Sequence, residues 1–115
     1  MTLIQQQLFI DGKWVPADSG EMFEVINPVD AKPMGMAAKA GRAEAKRALE
    51  AANKAFKTWG KSTPDERSKA LKKAAAAVSA RQEELAKILC MEHGKPLGDA
   101  RKEIKGAIDT LEYYA

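Results

Sequence analysis

A chain of 115 residues, 45% hydrophobic and 30% charged, with 8 glycines, 5 prolines and one cysteine, has the make-up of an ordinary globular protein. That balance excludes disordered, collagen-like, disulfide-scaffold and membrane-spanning classes, and the length suits one domain around one hydrophobic core. The net charge of +3 is uneven, since residues 1–41 carry three Lys or Arg against five Asp or Glu, and residues 42–115 carry sixteen against eleven.

From the N-terminus, Met1-Thr2-Leu3-Ile4-Gln5-Gln6-Gln7 has neither a basic leader nor a long apolar run. No later stretch approaches the roughly 18 apolar residues of a membrane span. A cytoplasmic protein is expected, and a lone cysteine agrees with a reducing compartment. The next residues read as β structure. Leu8-Phe9-Ile10 and Lys13-Trp14-Val15 flank Asp11-Gly12, and Asp-Gly between apolar runs predicts a hairpin because both central residues of a type I′ turn need positive φ. Pro16 ends the second arm. Asp18-Ser19-Gly20 is a further turn, Met22-Phe23-Glu24-Val25-Ile26 a strand stopped by Asn27-Pro28, and Met34 to Ala38 a weaker strand after Lys32-Pro33.

Beyond Gly41 the pattern turns helical, rich in Ala, Lys, Glu and Leu with almost no β-branched residues. A helix from about Ala43 to Trp59 carries Leu49, Ala52, Phe56 and Trp59 on one face, and Gly60 is a natural C′ residue. Thr63-Pro64-Asp65-Glu66 predicts a capping box with proline at the first helical position. Its helix buries Ala70, Leu71, Ala74, Ala75 and Val78 and breaks near Arg81. A third helix carries Leu85, Ile88 and Leu89 up to Gly94 and Pro96. A fourth, from about Asp99, carries Ile104, Ala107, Ile108, Leu111 and Tyr114. The last helix meets no stop signal before Ala115, and a short hairpin needs a larger apolar surface to cover it, so a fragment of a longer protein is expected.

Chemistry-bearing residues are few. Cys90 and His93 stand three apart, which puts them side by side on a helix, yet Cys90 lies in an apolar run and is read as structural. Glu83-Glu84 and Asp65-Glu66 sit at helix starts, where they offset the macrodipole. Gly94-Lys95-Pro96-Leu97-Gly98 lacks the spacer and the Lys-Ser/Thr ending of a P-loop, and no G-x-G-x-x-G follows a strand. The basic residues alternate with acids, as in Glu44-Ala45-Lys46 and Asp65-Glu66-Arg67, with no aromatic residues between them, so they read as solvated helix faces and not as a nucleic-acid or membrane surface. No catalytic or cofactor-binding residue can be assembled from spacing.

Six stretches in order nevertheless resemble the N-terminal portion of the NAD(P)-dependent aldehyde dehydrogenase superfamily. They are Leu8-Phe9-Ile10-Asp11-Gly12-Lys13-Trp14-Val15, Phe23-Glu24-Val25-Ile26-Asn27-Pro28, and Ala51-Ala52-Asn53-Lys54-Ala55-Phe56-Lys57-Thr58-Trp59, followed by Thr63-Pro64-Asp65-Glu66-Arg67, Glu92-His93-Gly94-Lys95-Pro96-Leu97 and Leu111-Glu112-Tyr113-Tyr114-Ala115. The Glu-His-Gly-Lys-Pro-Leu stretch leans towards succinate-semialdehyde-dehydrogenase-like branches. The resemblance implies a parent α/β fold of Rossmann type, in which this chain is an α+β piece. Residues 1–41 would be a β-strand lead-in, and residues 42–115 the helical part of a cofactor-binding domain, about four amphipathic helices truncated at the C-terminus.

The resemblance further implies aldehyde oxidation to a carboxylic acid with NAD or NADP, through a cysteine thiohemiacetal and thioester. The parent would be a homo-oligomer, dimer or tetramer, with a small-molecule aldehyde substrate. The family's nucleophilic cysteine, oxyanion asparagine and general-base glutamate all belong downstream of the matched stretches. Cys90 matches none of their motifs, and the chain alone is expected to be inactive. One site carries over, a structural monovalent cation held by backbone oxygen near the Asn-Pro turn and by an acid before the Gly-Lys-Pro stop, at Val25 and Glu92. From the residues alone, a stand-alone α+β interaction or assembly module without catalysis is the alternative.

Overall fold

The computed structural model describes residues 4–115. Five strands precede four helices: β1 (Ile4–Gln6), β2 (Leu8–Ile10), β3 (Lys13–Val15), β4 (Met22–Ile26), β5 (Pro33–Ala38), α1 (Arg42–Trp59), α2 (Pro64–Ala80), α3 (Gln82–His93) and α4 (Leu97–Tyr114). Strands thus give way to helices where the composition changes. The chain divides into two compact units. Of the described residues, one takes 4–26 and 31–61, and so includes α1; the other takes 27–30 and 62–115.

In the first unit β2 and β3 form the expected hairpin, pairing Leu8 with Val15, Phe9 with Trp14 and Ile10 with Lys13. Asp11 and Gly12 turn it with φ of 51° and 75°, the two left-handed positions that a type I′ turn requires. Phe9 and Trp14 stack across the ladder, their ring centroids 5.0 Å apart. The second sheet has the order β1-β5-β4, with β1 parallel and β4 antiparallel to β5. The weaker strand candidate is therefore the central one. Its Pro33 occupies the first strand position, where a missing N–H does least harm to the ladder.

Helix α1 departs from the reading of its apolar stripe. Leu49 is 71% exposed, Phe56 69% and Trp59 53%. The side of α1 that faces the hairpin is its alanine side, where Ala48, Ala51, Ala52 and Ala55 line a groove with Phe9 and Ile10. Leu49 and Phe56 do not line that groove. Gly60 also ends α1 without the left-handed turn expected of a C′ glycine, at φ −61°.

A buried acid binds the start of α1 to the turn after β3. Glu44, 5% exposed, accepts the Asp18 N–H at 2.7 Å on one carboxylate oxygen and the Gly41 N–H at 2.9 Å on the other. Arg47, one turn along, forks onto both Asp18 oxygens at 2.7 Å. The Asp18 amide above all, and backbone N–H groups at Glu44 and Gly41, hold the Glu44 carboxyl below its ordinary value. The Arg47 hydrogen bonds do the same for Asp18.

In the second unit α2 and α3 both pack on α4. The centre is made of small side chains, Ala75, Ala86 and Ala100 with Ile108, each at most 7% exposed. Leu71, Val78, Leu85, Ile88, Leu89, Ile104 and Leu111 are half-buried around it, on the faces that the helical spacing predicts. Ala70, Ala74, Ala107 and Tyr114 are exposed instead. On α2 the buried strip is narrower than expected and runs through Ser68, Leu71, Ala75 and Val78, because one neighbouring helix covers only one line of side chains.

The Thr63 box forms as predicted: the Glu66 N–H donates to Thr63 Oγ1 at 3.2 Å, and the Thr63 N–H donates to Glu66 Oε2 at 2.7 Å. Gly94 ends α3 at φ 78°, its N–H bonded to Cys90 O at 2.9 Å. Pro28 closes over it, so that a Cβ at position 94 would stand 3.0 Å from Pro28 Cγ.

Three stability predictions follow from these contacts. Thr63→Ala should lower the urea unfolding free energy by about 1 kcal/mol, with Thr63→Ser close to the parent. Gly94→Ala should cost about 1–2 kcal/mol from the left-handed backbone, before any crowding of Pro28. For Glu44, whose folded pKa is lowered, the stabilisation is complete above the unfolded value of about 4.3 and is lost as pH falls through the folded one. Thermal unfolding of Glu44→Gln should therefore show a Tm several degrees below the parent at neutral pH. The gap should close as pH falls below the ordinary carboxylate range and the parent's carboxyl takes a proton; a constant gap would mean that the charge contributes nothing.

Candidate functional site

The residues with chemical potential gather at the end of α3 and the start of α4, where the chain reverses through Gly94. Cys90 is half-buried, and its thiol donates to Lys95 O at 3.0 Å. His93 is exposed, and no hydrogen bond joins it to Cys90. The side-by-side spacing on α3 thus yields no thiol–imidazole pair, and the sulfur acts as a clip across the chain reversal. Lys95, its side chain only 19% exposed, is paired with Glu103 on α4. The carbonyl of Pro96 accepts the Asp99 and Ala100 N–H groups, each at 3.0 Å. Gly94 to Gly98 is thereby a helix stop followed at once by a helix start, and its lysine already has a carboxylate.

The carboxylate pairs are engaged in the same way. Glu83 takes a fork from Arg101 of α4 at 2.9 and 2.7 Å, which holds its carboxyl below the usual range. Glu84 takes one from Arg81 at the α2–α3 joint, with the same effect. Asp65 pairs with Lys69 at 2.6 Å, and Glu66 is lowered by the Thr63 amide and hydroxyl inside the capping box. A carboxylate held ionised by a permanent partner makes a poor general acid.

Of the two residues expected to hold a cation, Val25 is half-buried in β4 opposite Gly35, where the β4–β5 register shifts between Val25 and Ile26. Pro33, paired with Ile26, has no N–H to give the ladder there. Glu92 is exposed in the last turn of α3, and its side chain makes no hydrogen bond or ion pair with another described residue. Backbone oxygen and a carboxylate are donors of the type a hard monovalent cation takes. Val25 belongs to the first unit and Glu92 to the second. Among the described residues no three His, Cys, Asp or Glu side chains cluster as a metal site would need.

The first unit holds a cleft of about 570 Å³ lined by Trp14, Pro16, Met22, Gln6 and Glu21 among others. Glu21, its one acid, is tied to Lys39 at 3.2 Å, so the cleft has no unpaired titratable side chain with which to start a reaction. The α1 N-terminus follows β5 after three residues, as a phosphate-binding turn would, but Glu44 lays its own carboxylate against Gly41 there. Among the described residues, no helix is long and apolar enough to cross a membrane.

The Asp18–Glu44–Arg47 cluster has no counterpart in the reading of the sequence. Gly41-x-x-Glu44 has the spacing of a capping box, but glycine in the cap position hides it, and Asp18 is 26 residues away.

The model of the aldehyde dehydrogenase family matches residues 14–115. A 3-sulfolactaldehyde dehydrogenase of Pseudomonas putida is 42% identical over 114 residues, which are 99% of this chain and 24% of that protein. An NADP(+) succinate-semialdehyde dehydrogenase of Escherichia coli is 35% identical over 113 residues, 98% of this chain and 23% of that one. The crystal structure of an NAD-dependent aldehyde dehydrogenase from Sinorhizobium meliloti superposes with a TM-score of 0.93 at 36% identity, over 97% of this chain and 23% of that chain. The chain thus spans about a quarter of the length of the relatives it matches. With small strands followed by four helices in the same arrangement, and a family match from Trp14 onward, the chain belongs to the aldehyde dehydrogenase family and corresponds to its N-terminal portion.

Proposed function

We propose that the protein serves in a cytoplasmic, homo-oligomeric oxidoreductase that converts an aldehyde to a carboxylic acid with NAD or NADP, and that these residues form scaffold in it and not the catalytic centre. The observation that carries this reading is the family match over residues 14–115. The expected nucleophile is a cysteine thiolate that adds to the aldehyde carbon as a thiohemiacetal and later leaves from a thioester. Cys90 is unsuited to that part, because its thiol proton is directed at a backbone carbonyl and not at a base. Among the described residues no G-x-G-x-x-G turn leads from a strand into a helix, and at the start of α1 the Glu44 carboxylate already takes the Gly41 N–H. No step through the cofactor is assigned to this chain.

For substrate class we propose an aldehyde with an acidic group at its far end. Support comes from the names of the two relatives, whose sulfolactaldehyde and succinate semialdehyde both carry one. The test follows NADH and NADPH formation over a panel of neutral and acidic aldehydes. It compares the 115-residue chain with the same chain continued to family length. The expected outcome is turnover only in the continued protein, fastest with acidic aldehydes and unchanged in kcat by Cys90→Ala. Turnover by the 115-residue chain that Cys90→Ala abolishes would overturn the reading.

We further propose a structural monovalent cation between Val25 backbone oxygen and the Glu92 carboxylate. It is supported by the oxygen-donor character of both groups and by Glu92 having no ion pair among the described residues. In the protein of family length, potassium should raise Tm relative to a bulky organic cation, and Glu92→Gln should remove that difference. Equal melting curves in the two salts would sink the proposal.

A further inference from the structure

We draw no further inference here: the strongest candidate, the exposed apolar face of α1 formed by Leu49, Phe56 and Trp59 beside a small pocket at Lys57 and Lys61, carries nothing because nothing in the structure shows what covers it.

Discussion

The second unit depends on one backbone conformation, the left-handed residue at Gly94. Helices α3 and α4 are separated by three residues, and only a chain that reverses sharply there can lay them side by side over Ala86, Ala100 and Ile108. Glycine is suited to φ 78° because it has no Cβ to strain the turn and none to collide with Pro28. The thiol and the amine nearest that reversal are both engaged by it. The Cys90 thiol bonds across it to Lys95 O, and the Lys95 amine spans from the turn to Glu103. A Cys-x-x-His spacing and a Gly-Lys-Pro-Leu-Gly run look like chemistry in a sequence, yet both follow from the need to close one helix and open the next within a few residues.

Much of this was legible because its causes are local. Asp11-Gly12 demands positive φ twice, Thr63 and Glu66 satisfy each other across three residues, and Gly94 stops a helix by its own conformation. Each signal is complete within a short window and forms whatever the rest of the chain does. Strand β1 shows the opposite case. Gln5 and Gln6 have little intrinsic preference for a strand, and what orders them is a parallel pairing with Met36 and Ala37 far along the chain. No pattern within residues 4–6 could announce that partner.

The α1 stripe marks a subtler limit. Helical spacing finds an apolar face but does not say which neighbour it meets, and the hairpin takes the alanine side instead. The same rule, applied to α2, α3 and α4, picked the branched aliphatic residues from Leu71 to Leu111 correctly, because α2 and α3 both pack on α4, but not Ala70, Ala74, Ala107 or Tyr114. Periodicity therefore reads burial well where helices pack mutually, and overstates it where a helix meets a single small hairpin. The alanines buried in the second unit follow the same physics. Three helices close together around small side chains, while longer ones such as Leu85 and Ile104 fill the margin.

The candidate site was the least legible part, and charge pairing explains why. Glu44, Glu66, Glu83 and Glu84 each have a fixed donor, so their carboxyls sit below their ordinary values and stay ionised through neutral pH. Groups fixed in one protonation state hold structure together but do not relay protons, whereas catalysis needs a group poised near the working pH. A sequence lists such acids without their partners, and every paired carboxylate then looks like a candidate. Once the partners are in place the acids sort themselves, and Glu92, like Asp11 and Glu24, is a carboxylate with no ion pair among the described residues. On the basic side Arg47, Lys69, Arg81, Lys95, Arg101 and Lys105 are likewise joined to acids, while sixteen basic against eleven acidic residues beyond residue 41 still leave that part of the chain positive. Pairs of this kind join helix to helix, as the Arg101 fork does from α4 to Glu83 of α3, and leave those carboxylates without a part in proton transfer.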